Sequence, residues 1–205
     1  MKKFLSLLCT LCLSSFAFAS PESELLAQLN AFTNLTADYV QSVGSDLGEV
    51  LQTSTGKVAI TKPGKFRWDQ QAPITQLILV NGDRVIIYDP ELLQVTIRSF
   101  KNTLNETPAV LLSGDPQALI TLFHITKIPS ENSSEKWFKL ESRDKNALTS
   151  MIVLGFNHHK IAMMQLHDTL GHITEIRFSH VLLNSSLSEM LFEFTPPRGV
   201  DVIHD

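Results

Sequence analysis

The side chains best suited to chemistry in this chain are histidines and isolated carboxylates. His158-His159 sits in a polar cluster after Asn157, and His167 and His172 flank Asp168-Thr169-Leu170-Gly171. A histidine pair facing across a hairpin, with Asp168 beside it, has the donor types of a loose metal site. The surrounding turn residues favour the plainer reading, solvent-exposed histidines at strand ends. Asp115 and Asp144 have no carboxylate neighbour that would make an acid–base pair. The chain contains no G-x-S-x-G, H-E-x-x-H, P-loop or G-x-G-x-x-G pattern. Neither an enzyme nor a metal site is therefore supported by the residues, and no cofactor is expected. Lys62 is the most informative charge. It shares strand parity with Val58 and Ile60, which would aim it at an apolar face, but it also immediately precedes Pro63. The pattern favours a strand-end lysine with its head in water. Phe66 and Trp68 read as core.

The whole chain has 205 residues, 43% hydrophobic and 19% charged, with a net charge of −4. That size buries a sizeable core in one domain without staples. A pI near 6.0 provides no basic footprint for nucleic acid. Residues 1–19 read as an export signal: basic Met1-Lys2-Lys3, an apolar run from Phe4 to Leu13, and Ala17-Phe18-Ala19 before the expected cleavage at Ser20. Cys9 and Cys12 lie inside it, and the apolar residues around them do not suit lipidation. The mature chain, residues 20–205, is then a cysteine-free single domain, and the short two-lysine n-region indicates a bacterial periplasm. The Asn34, Asn105, Asn132 and Asn184 sequons read as chance.

Beyond the signal, one amphipathic helix opens at Pro21, with Leu25, Leu26, Leu29 and Phe32 on its apolar face. The period then becomes two. Strands are predicted at Tyr39–Val43, Val50–Thr61 (with Gly56 as a possible bulge), Lys65–Asp69, Gln76–Val80, Arg84–Tyr88 and Gln94–Phe100. Asn81-Gly82 marks a hairpin. Thr107-Pro108 and Asp115-Pro116 start two short helices, Ala109–Leu112 and Gln117–Phe123. Strands resume at Ile125–Ile128, Lys136–Glu141, Ser150–Phe156, Ile161–His167, His172–Val181 and Met190–Thr195. About eleven antiparallel strands in a meander must curl, split or close. Three short helices are too small to fill such a sheet, so an apolar, ligand-holding hollow is one outcome. A β-sandwich whose sheets fill each other is the other.

Several local sequences together resemble a known family. Lys62-Pro63-Gly64-Lys65-Phe66-Arg67-Trp68, Leu79-Val80-Asn81-Gly82-Asp83, Tyr88-Asp89-Pro90 with Gln94-Val95, Thr107-Pro108-Ala109-Val110-Leu111-Leu112, and the tail Phe194-Thr195-Pro196-Pro197-Arg198-Gly199-Val200-Asp201-Val202 are similar, in order and spacing, to the periplasmic outer-membrane lipoprotein carriers, the LolA family. The resemblance implies an incomplete antiparallel β-barrel with a lid of short helices over an apolar cavity. It implies a monomeric, non-enzymatic carrier. Such a carrier takes triacylated lipoproteins from an inner-membrane ABC-type release complex, shields their acyl chains and passes them to an outer-membrane receptor. By family position, Leu29, Phe66, Trp68, Leu79, Val110 and Leu111 would line the cavity. Lys62 stands where the family often carries an arginine that latches the lid through carbonyl hydrogen bonds; lysine offers fewer donors and no planar fork. The alternative is a periplasmic sensing domain on the same half-barrel, although such proteins usually add a second domain or an anchor.

Overall fold

The computed structural model describes residues 19–46, 48–99 and 116–204. The signal segment through Phe18 and the predicted helix with Val110 and Leu111 lie outside the described residues.

Helix α1 (Pro21–Asn30) starts where the sequence sets it. Ser20 caps it by accepting from the Ser23 N–H at 3.2 Å, Pro21 occupies the first turn, and Glu22 and Glu24 face the positive end of the helix dipole. Helix α2 (Pro116–Leu122) runs directly into a strand. The strands are β1 (Asn34–Ser45), β2 (Val50–Thr61), β3 (Lys65–Ala72), β4 (Gln76–Asn81), β5 (Arg84–Asp89), β6 (Gln94–Ser99), β7 (Phe123–Ile128), β8 (Glu135–Ser142), β9 (Thr149–Asn157), β10 (Lys160–Asp168), β11 (His172–Leu183) and β12 (Asp201–His204). They form one open sheet of twelve strands, ordered β12-β6-β5-β4-β3-β2-β1-β11-β10-β9-β8-β7. Two meanders meet where β1 pairs antiparallel with β11; only β12, on β6, is parallel. The sheet is mainly antiparallel and not closed, the half-barrel class the sequence implies.

Two details correct the sequence reading. Met190–Thr195 is not a strand. Leu191 and Glu193 donate back to Ser188 and Met190, at 3.1 and 3.2 Å, and wind Glu189–Phe192 into a 3-10 turn. The final strand comes later, at Asp201–His204, with Val202 opposite Val95. The suspected irregularity at Gly56 is present: the β2–β3 register shifts between Thr55 and Gly56. A Cβ there would lie 2.0 Å from the Asp69 carbonyl oxygen and 2.6 Å from the Tyr39 hydroxyl, so a side chain would push two neighbouring strands apart.

Strand parity divides the apolar residues between two faces. One face carries Leu35, Tyr39, Val58, Ile60, Phe66, Trp68, Val80 and Val85 from the first meander, and Phe138, Leu154, Met164 and Ile176 from the second. Leu25, Leu29 and Phe32 of the α1 region and Leu119 of α2 belong to the same buried cluster. The opposite face carries Ala59, Leu77, Leu79, Ile86 and Val95, packed against Phe192, Leu191 and Phe194 of the C-terminal segment.

Candidate functional site: the helix-covered apolar face

Three of the expected cavity residues come together. Leu29 and Phe66 are each 1% exposed and Trp68 is nearly so buried, all within the cluster under α1. Trp68 stacks on Tyr39 with ring centroids 3.8 Å apart and lies 6.0 Å from Phe66, also stacked. This row of rings comes from one register: Phe66 lies opposite Ile60 and Val80, and Trp68 opposite Val58 and Ile78. Gly56 leaves room for the Tyr39 ring, whose hydroxyl is held un-ionised by burial well above the ordinary phenol range.

Leu79 does not join them. It lies opposite Arg67 on β3 and Ile86 on β5, so it points away from Phe66 and Trp68 and is buried against Phe192 on the other face. The β4–β5 stretch is apolar on both parities, so apolarity alone does not separate inside from outside. Counting by twos from the Asn81-Gly82 turn places Val80 and Ile78, not Leu79, beside Phe66 and Trp68.

Lys62 is also not a solvated strand-end lysine. It is half-buried, its Nζ donates to the Leu29 carbonyl at 2.5 Å, and it stands 3.7 Å from the centroid of the Phe32 ring. Its partners are thus an orphan carbonyl in the last turn of α1 and the face of an aromatic ring, both of which attract a cation. Burial nevertheless pulls its ammonium down to about 8. The sequence shows the lysine and the proline but not the helix end that meets them.

A second support of α1 was missed. Asn184, at φ 57° just past β11, donates from Nδ2 to the Ala31 carbonyl at 3.2 Å and accepts the Thr33 N–H at 2.8 Å. The available signal was an asparagine, which tolerates the left-handed region, directly after a strand. At its other end α1 is tied by Glu24 to Lys127 of β7 at 2.7 Å. The helix is thus pinned at its C-terminal end by polar contacts from both meanders, and along its length it buries Leu25, Gln28 and Leu29.

The histidines belong elsewhere. His158 and His159 form the β9–β10 turn with φ of 48° and 64°. His172 Nδ1 lies 2.9 Å from Asp168, whose carboxylate also accepts the N–H groups of Leu170 and His172 at 2.8 Å. Slight burial opposes ionisation of Asp168, but these hydrogen bonds hold its carboxyl below the usual range. Asp168 is thus engaged in shaping a turn. Among the described residues no group of three metal-type ligands converges.

The site is a set of apolar side chains packed under a helix, without polar groups gathered around a reaction centre among the described residues. Residues 30–195 match the family described as outer membrane lipoprotein carrier protein LolA. An outer-membrane lipoprotein carrier protein of Hahella chejuensis is 34% identical over 203 residues, covering 99% of this chain and 97% of its own. One from Pseudomonas aeruginosa is 38% identical over 177 residues, 86% of this chain and 84% of its own. Among solved structures, an uncharacterized conserved protein of Thermus thermophilus superposes with a TM-score of 0.58 at 13% identity, covering 89% of this chain and 98% of the other, which bears on the fold alone. The chain belongs to the LolA family of outer-membrane lipoprotein carriers.

Proposed function

We propose that this protein is a periplasmic carrier that accepts acylated lipoproteins released from the inner membrane, shields their acyl chains, and delivers them to an outer-membrane receptor. The observation that carries the reading, in a chain of this family, is the aromatic and aliphatic face at Phe66 and Trp68 covered by a helix that makes no backbone ladder with the sheet. Each buried methylene is worth about 0.8 kcal/mol, so two or three acyl chains do not cross water unaided. Apolar contacts are non-directional. Acyl chains can therefore replace Leu25, Leu29 and Phe32 against the sheet with little change in buried area. Breaking the α1 contacts offsets part of the gain, which keeps binding reversible. Lys62 is the latch in this scheme, acting on the α1 carbonyl. Val110 and Leu111 complete the cover by family position. Release needs no nucleotide at the carrier, only a receptor with greater affinity. The inner-membrane donor is an ABC-type complex, the carrier acts as a monomer without a cofactor, and no catalytic step is assigned. The mature domain is residues 20–205, following a cleaved signal at 1–19. A sensing role is not favoured, because relatives matching nearly the whole chain are named carriers.

The test is direct. Protein purified gently from the periplasm is examined by mass spectrometry for acylated cargo, and an apolar fluorescent probe is titrated into the cargo-free protein. The expected result is co-purified lipoprotein and probe uptake reversed by triacylated lipoprotein. Absence of both overturns the carrier reading.

A further inference from the structure

The two ends of the sheet differ in kind. Pairing register puts the β1–β2, β3–β4, β5–β6, β8–β9 and β10–β11 connections at one end, and the β2–β3, β4–β5, β7–β8 and β9–β10 connections at the other. The second end is polar: Lys62-Pro63-Gly64, Gly82-Asp83, Asn132-Ser133-Ser134 and His158-His159. The first end carries large aliphatic side chains in water. Val50, Leu51, Leu92, Leu93, Leu148 and Leu170 are all exposed, Leu170 by 78%. Among the described residues, the connections at the polar end carry no exposed large aliphatic side chain; the exposed apolar side chains near that end are Leu182, at the close of β11, and Met190, in the 3-10 turn. Random scatter of surface leucines is ordinary, but segregation to one rim marks an interaction site.

The rim is also built as a unit. Asp46 N–H donates to the Gly171 carbonyl at 3.1 Å, and Thr169 N–H to the Leu148 carbonyl at 3.0 Å. These bonds join three neighbouring tips, so Val50, Leu148 and Leu170 belong to one ledge. Between them opens a cleft of about 400 Å³ lined by Asp46, Glu141, His167, Asp168 and His172, among others. Charge indicates what fits. Among the described residues the tips carry Asp46, Glu49, Asp89, Glu91, Asp144 and Asp168 against Arg143 and Lys145. His172 on this ledge is held by Asp168, and His167 by Gln165 at 2.9 Å. Anionic lipid headgroups would be repelled by that surplus, whereas a basic protein surface would be steered toward it.

We propose that this rim is a docking surface for a partner protein that presents Lys or Arg side chains to the acidic cleft and apolar side chains to Leu148 and Leu170. The surface is distinct from the helix-covered face, so docking and acyl-chain burial are separable.

The test places a photo-reactive benzoylphenylalanine at Leu170, and in a control at His159, in the full mature chain. Each protein is illuminated with inner-membrane vesicles, with outer-membrane vesicles, and with protein-free phosphatidylethanolamine–phosphatidylglycerol vesicles. The expected result is a Leu170-specific adduct mapped to a Lys- or Arg-bearing peptide of one membrane protein. Its yield falls about tenfold with Asp46→Lys plus Glu49→Lys and recovers when the mapped basic residues are changed to Glu. Equal adducts from His159, an adduct to lipid alone, an adduct of two copies of this chain, no adduct, or insensitivity to the charge reversal each overturn it. Apolar-probe uptake is read in parallel. It is unchanged in these variants if the fold is intact, so failure of the docking surface and failure of the carrier reading give different results.

Discussion

The two faces of this sheet are covered by different physics. Over Phe66 and Trp68 lies α1, joined to the strands by apolar side chains along its length and by Lys62, Asn184 and Glu24 at its ends. Over Leu79 and Ile86 lies the C-terminal segment, and its attachment is largely backbone. β12 is laddered to β6, Arg67 donates to the Leu191 carbonyl at 3.0 Å, Asn81 to the Phe192 carbonyl at 3.2 Å, and Lys65 pairs with Glu189. Arg67 is itself aimed by Asp69, with its Nε 2.6 Å from the carboxylate. Buried carbonyls that lose their donors have no substitute in an acyl chain, whereas Leu29 against Phe66 does. The tail-covered face is therefore permanent structure. On the proposed carrier reading, the helix-covered face is the one that apolar cargo enters.

That contrast is open to attack by substitution. The largest effect is expected from Phe66→Glu, which sets an unpaired carboxylate in the helix-covered cluster. Apolar-probe affinity should fall at least about tenfold, together with a loss of several kcal/mol in denaturant unfolding. Probe affinity that survives in the folded fraction would show that cargo does not touch this face. Leu79→Ala should cost about 2–5 kcal/mol of stability yet leave probe affinity in the folded protein within about twofold. Weakened probe binding there would erase the distinction between the faces. Arg67→Ala should cost about 1–3 kcal/mol and raise proteolysis after the tail's 3-10 turn, because two carbonyl and carboxylate partners lose their donor. Lys62→Leu should speed probe entry and retard onward transfer to outer-membrane vesicles, with a stability change of about 1 kcal/mol; unaltered transfer would mean that the lysine is not a latch.

The smallest effect is in pH. The folded Lys62 ammonium titrates near 8, below an unfolded value of 10.5. The unfolded chain therefore holds more protons between these limits, and stability should rise as pH increases from 8 toward 10.5. Solvent screening of a half-exposed group reduces the gain to about 1 kcal/mol. Equilibrium unfolding of the wild type and Lys62→Leu across that window isolates it; parallel curves would remove the assigned burial.

Local pattern carried most of the fold. Ser20-Pro21 and the leucine spacing fix α1, alternation fixes the strands, and Asn81-Gly82 and the turn histidines fix hairpins, because these signals act within a few residues of themselves. The tail misled for the same reason. Met190-Leu191-Phe192-Glu193-Phe194 alternates like a strand, yet its carbonyls are taken by Arg67 and Asn81 from strands over a hundred residues away. Within the candidate site, Leu29, Phe66 and Trp68 were legible as an apolar set, whereas Leu79 was not separable from them.

The sequence by itself determined a chain of alternating strands opened by one capped helix, with local motifs similar to the lipoprotein carriers. Only tertiary structure decided which parity faces the helices, that the Lys62 ammonium meets the end of α1 and the Phe32 ring, and that Asn184 holds the same helix from the other meander. Those outcomes depend on contacts 33 and 153 residues apart in the chain. Period-two alternation states that a strand has two faces, but only the assembled sheet and its covers assign them.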